Sequence, residues 1–108
     1  MISTVRTISS TAYEASHVLA SRPVTVYGIS GYNSKASAQF IQLHDATSLP
    51  SDTAVPVFTA TVAASSNFSL AMTVKGLKFA NGCVVCNSST GPTLTIGGAD
   101  LFITANVE

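Results

Sequence analysis

The chain has 108 residues, of which five basic and five acidic side chains give a formal net charge of zero, and charged residues make up 9% against roughly 25% in an ordinary globular domain. A nucleic-acid binder clusters its Lys and Arg, whereas Arg6, Arg22, Lys35, Lys75 and Lys78 are scattered. No stretch approaches the roughly 20 apolar residues that cross a bilayer, and the start MISTVRTISS lacks a basic segment followed by an apolar block, so the expectation is one soluble domain with neither nucleic acid nor membrane as partner.

The polar character comes from hydroxyls, with 15 Ser and 13 Thr beside 14 Ala. Thr and Val favour pleated surfaces, and Ser competes with helical backbone bonds through local bonds of its own. The first 21 residues have hydroxyls at nearly every second place and no sustained apolar face, although residues 13–20 have the makings of a short helix. This segment reads as an N-terminal arm, residues 1–21, that leaves the folded body and is ordered by something else.

From residue 22 the pattern alternates with period two. PVTVYGI sets Val24 and Val26 on one face, and SAQFIQLHD sets Phe40 against Ile41 and Leu43. VPVFTATVA, FSLAMTV, LKFA, CVVCNSS, TLTI and DLFITANV follow. Turn residues separate them: Gly31 with Asn33, Leu49-Pro50-Ser51-Asp52, Gly91-Pro92 and Gly97-Gly98. Asn81-Gly82 is a favoured two-residue hairpin turn, which predicts LKFA paired with CVVCNSS. The spacing predicts an all-β fold: a single antiparallel β-sandwich, jelly-roll-like, of seven or eight short strands over residues 22–108.

Cys83-Val84-Val85-Cys86 has the spacing of a metal knuckle or a redox pair. On a strand, side chains three apart face opposite ways and their Cα atoms lie about 10 Å apart, beyond the roughly 7 Å that a disulfide tolerates. Zinc would need a tight turn there and two further ligands, so two reduced, packed thiols are expected. His44 and Asp45 are neighbours on a strand and face apart; Asp45 is expected to end the strand and accept local backbone N–H bonds. GISGYNS lacks the following helix of a phosphate cradle. Asn67-Phe68-Ser69 and Asn87-Ser88-Ser89 match the glycosylation acceptor pattern, which matters only in a secretory pathway. The five phenylalanines, spread one per strand, read as core, while Tyr27 and Tyr32 flank a loop where they could stack on a sugar or a partner subunit.

Taken in order, the GYN turn, the strand AQFIQLHD, AVPV, the strand start NFS and FANG leading into a strand that ends in NSST resemble a family of small virion proteins of tailed bacteriophages, from about residue 15 to the C-terminus. The resemblance implies a structural and non-enzymatic role: a decoration or cement protein on the capsid surface, bound to the major capsid protein, commonly as a trimer, and made in the bacterial cytoplasm. It carries over no catalytic, cofactor or metal residue. Partner contacts are then expected from the arm, through Arg6, Tyr13 and His17, and beside the 28–34 segment, through Tyr27 and Tyr32. Two other classes remain open: a tail- or fibre-associated carbohydrate-binding module resting on Tyr27 and Tyr32, and a small hydrolase, for which no coherent nucleophile and base are evident.

Overall fold

A computed structural model describes residues 5–108. Among them are nine strands and no helix: β1 (Arg6–Ser9), β2 (Ser16–Ala20), β3 (Val24–Asn33), β4 (Gln39–His44), β5 (Phe58–Val62), β6 (Ser66–Ala71), β7 (Leu77–Phe79), β8 (Cys83–Ser88) and β9 (Leu101–Val107). One sheet has the order β1-β9-β3-β6, with β7 also paired to β3, and the other the order β2-β8-β4-β5. All pairings are antiparallel. With the first strands beside the last in both sheets, this is the strand order of a jelly-roll sandwich.

Alternation builds the interior. In β9, Leu101, Ile103, Ala105 and Val107 are buried, and they meet Val24, Val26 and Ile29 of β3 and Ile41 and Leu43 of β4 in one cluster with Leu19, Val62, Phe79, Cys83 and Val85. A bulge between Val26 and Gly28 shifts β3 by one residue against β9. Without it, Ile29 would turn outward, because a one-residue slip exchanges the two faces.

The strand β8 is buried along its whole length. Cys83 and Val85 face the interior cluster, while Val84 and Cys86 join a second cluster with Leu94, flanked by Ala46 and Ala54. The segments 45–57 and 89–98 therefore cover the outer face of this sheet. They are tied to each other by Thr53 N donating to Leu94 O at 2.7 Å, Leu94 N to Ala54 O at 2.8 Å and Ile96 N to Asp52 Oδ1 at 2.9 Å. The segment 89–98 is tied to the sheet by Gln42, which is fully buried. Its Nε2 lies 2.9, 3.0 and 3.1 Å from the carbonyls of Thr90, Gly91 and Thr93. That leaves its Oε1 to accept from His44 Nε2 at 2.8 Å, which fixes the proton of the neutral imidazole on Nε2.

Several expectations are corrected. Residues 6–20 do not form an arm that leaves the body: β1 pairs with β9 and β2 with β8, and no helix forms over 13–20. The missing apolar face misled because, among the described residues of this segment, only Ile8, Leu19 and Ala20 serve the core, while hydroxyls replace apolar contacts elsewhere: Ser9 Oγ and Thr104 Oγ1 are 2.9 Å apart, and Thr7 Oγ1 donates to Asn106 Oδ1 at 3.2 Å. Residues 1–4 of the expected arm lie outside the described residues. Asn81-Gly82 is not a hairpin turn, since β7 and β8 belong to different sheets. It is a crossing, and Asp45 Oδ1 accepts from both Asn81 N (2.9 Å) and Gly82 N (3.4 Å), a distant use of the carboxylate rather than the local one expected. Glycine is required at 82 by close approach: an added Cβ would lie 2.6 Å from Ala20 O and 2.7 Å from Ala46 O. Gly31 does not end a strand but continues β3, which closes at Asn33, and TLTI forms only a single bridge, from Ile96 to Ser88.

Two outcomes follow from this architecture. Removing residues 1–21 takes away two strands and the buried Leu19, so residues 22–108 should show no cooperative urea transition by circular dichroism; Leu19→Ala alone should cost about 2–5 kcal/mol. Replacing Gln42 by Ala leaves Gly91 O without this amide donor and His44 without its acceptor, while Thr90 O keeps Ser88 Oγ and Thr93 O keeps Thr90 Oγ1. At roughly 1–3 kcal/mol per stranded buried group, a loss of about 3 kcal/mol is expected from the same titration.

Candidate functional site: the outer face of the first sheet

Since the odd residues of β9 point inward, Phe102, Thr104 and Asn106 point out. The register sets them in rows across the sheet. Phe102, Tyr32 and Asn67 form one row, Ser9, Thr104, Ser30 and Ser69 the next, and Thr7, Asn106, Gly28 and Ala71 a third. The second row carries a hydroxyl on each of four adjacent strands. No charged side chain occurs in the three rows.

Tyr13, on the crossing from β1 to β2, closes the first row. Its ring meets Phe102 edge to face, with centroids 6.1 Å apart and planes at 77°, a favoured arrangement of two quadrupoles. Tyr13, Ser30, Gly31, Tyr32, Asn67, Phe68 and Phe102 line an open trough of about 580 Å³. Gly31 makes the close approach of β3 and β9 possible here, because an added Cβ would fall on Phe102 O and 3.0 Å from Ile103 Cα. A second depression of about 250 Å³ shares Ser30 and runs on to Tyr27 and Asn106. There Tyr27 Oη donates to Glu108 Oε1 at 2.7 Å, and this bond, ahead of desolvation and the carboxylate's charge, raises the Tyr27 pKa above its ordinary value.

The structure thus brings Tyr13 and Tyr32 together and places Tyr27 farther along the same strand as Tyr32; the two tyrosines do not flank a loop. Arg6 lies on the edge strand β1, exposed. His17 lies on β2 in a separate cluster: its Nδ1 is 2.9 Å from Glu14 Oε2, the atom that also accepts from Ser10 Oγ at 2.6 Å. Ser10 Oγ in turn accepts from Ile103 N at 3.1 Å. The serine is bonded to the carboxylate and not to the imidazole, so the cluster fastens the crossing at residues 10–15, where Glu14 also exchanges backbone bonds with Leu101. Sequence reasoning missed Phe102, Ser30 and Asn67. The one-per-strand spacing reads Phe102 as core with the other phenylalanines, yet the period-two pattern of DLFITANV places it on the opposite face from Leu101 and Ile103.

Cys83 and Cys86 are both free and buried, on opposite faces of β8. Burial pushes both thiols up to about 12, with smaller contributions at Cys83 from Cys86 and Asp45. Native protein should therefore resist iodoacetamide at pH 8 and react at both sites only once unfolded, because the thiolate is the nucleophile; mass spectrometry of the alkylated chain checks this. His44 is held below the ordinary histidine value of 6.5 by burial. The unfolded chain then takes up this proton first as pH falls, so the stability is complete above about pH 6.5 and is lost as pH drops through the lower folded-state value. Urea midpoints should fall between pH 7.5 and 5, and less steeply in His44→Gln.

Against family models, curated proteins and solved structures, this chain finds no match.

Proposed function

We propose that this chain is a structural, non-enzymatic protein of a tailed-phage particle, a decoration or cement protein that seats the loop-covered side of its second sheet on the capsid shell as a symmetric oligomer, a trimer. One observation carries the reading. The two segments over that sheet expose Leu49 (49%), Val55 (75%), Val57 (51%) and Ile96 (36%), and Val18 stands exposed on the same face at β2. Their only charged residues are Asp45 and Asp52, and both carboxylates are occupied by backbone N–H groups. Burying such a surface against protein removes apolar area from water and strips little charge of its solvation.

The ordered sequence pieces that resemble those of small virion proteins support this role. The jelly-roll order supports it by fold analogy alone, since capsid and lectin domains use it repeatedly. Several weak contacts made at once by a symmetric oligomer on a repeated lattice bind far more tightly than one.

The test uses heads that lack the protein. Val55→Asp and Ile96→Lys change exposed positions and should leave the urea midpoint within experimental error, yet each should weaken head binding at least tenfold, a loss of about 1.4 kcal/mol. Unchanged occupancy would remove this surface from the interface, and labelling of tails instead of heads would overturn the cement role.

A further inference from the structure

We infer that the outer face of the first sheet is a binding platform for a neutral saccharide chain. This rests on a different face from the proposed capsid contact and stands or falls without it.

Rings, hydroxyls and amides are combined here in the proportions a sugar requires. A pyranose offers a patch of weakly positive C–H groups on one side, which lies against the negative face of an aromatic ring, and a rim of hydroxyls that need both donors and acceptors. Tyr13, Tyr32 and Phe102 supply the rings at one end of the trough. Ser30, Asn67 and Ser69 lie beside them, and among the described residues their side chains, like the Tyr13 and Tyr32 hydroxyls, have no intramolecular hydrogen-bond partner. The shared Ser30 continues the trough toward Tyr27, about 16 Å along β3 from Tyr32 at the ordinary strand rise, which is long enough for several sugar rings.

The same chemistry argues against other occupants. Protein interface cores are enriched in aromatic residues, Met and Arg and depleted in Ser; this face has the rings but sets Ser30 and Ser69 among them, with no Met or Arg lining it. Nucleic acid would require Lys or Arg for its phosphates even where bases stack on aromatic rings, and neither residue lines the trough. An acidic glycan lacks a countercharge for the same reason, which leaves an uncharged chain.

The full-length protein is applied to an array of glucose, galactose, mannose and N-acetylglucosamine oligomers from two to six units, with sialylated and sulfated oligomers alongside, and the strongest neutral hexasaccharide is then titrated by calorimetry. Binding should be confined to neutral chains and should tighten with length. Tyr32→Ala and Phe102→Ala should each weaken it at least tenfold, whereas Tyr32→Phe, which keeps the ring, should change it less than threefold. Thermal melts report whether these variants remain folded; if an alanine variant does not, Ser30→Arg, which fills the centre of the trough, takes its place and should abolish binding. Failure to retain any neutral glycan, retention of charged ones only, or affinity unaffected by these substitutions would overturn the inference. Loss of head attachment in Ser30→Arg, without glycan binding by the parent chain, would instead assign the face to a protein partner.

Discussion

A strand with no solvent-facing side sets the terms for this fold. In β8, from Cys83 to Ser88, the interior cluster takes one face, and the other, with Val84 and Cys86, would meet water if the second sheet were left bare. Two long segments are laid over it to prevent this, and Leu94 is the side chain they insert. A covering loop normally carries backbone groups that want water. Gln42 resolves the conflict from within the sheet, because one buried amide serves three loop carbonyls and is itself oriented by His44. Asp45 does the same at the neighbouring crossing, where it accepts from Asn81 and Gly82.

These choices give the molecule two unlike sides. The second sheet is clothed in nearly uncharged loops that expose Leu49, Val55, Val57 and Ile96 among their hydroxyl side chains. The first sheet is bare and presents rows of hydroxyls, amides and rings. The low charge of the chain makes both sides inexpensive to desolvate, since removing a hydroxyl from water is far less unfavourable than removing an ion. Cross-strand bonds such as Ser9 to Thr104 also let the edge strand β1 hold its place with only Ile8 directed inward.

Much of the body could be read from the sequence. The alternation in SAQFIQLHD set Ile41 and Leu43 on one face, which is the buried one, the alternation around Cys83 and Cys86 put the thiols on opposite faces, and short strands between turn residues gave the sandwich. The first two strands were hidden because their pairing depends on partners far along the chain, Arg6 opposite Val107 and Ser16 opposite Cys86, and they bury too few apolar side chains to leave a local signature. Asn81-Gly82 misled for a related reason: a favoured hairpin dipeptide serves a sheet-to-sheet crossing once a distant carboxylate occupies its N–H groups. Of the candidate site, Tyr13 and Tyr32 were legible as residues but not as neighbours. Phe102 was legible in principle, since its own strand's alternation turns it outward.

In the proposed orientation the loop-covered sheet faces the shell and the bare sheet faces away from it. Cryo-electron microscopy of particles decorated with the protein tests this most directly. The prediction is density on the head, in symmetric clusters, with Leu49, Val55 and Ile96 against the capsid subunits and Tyr32 and Phe102 open to solvent. Density on the tail, or the bare sheet pressed against the shell, would contradict it.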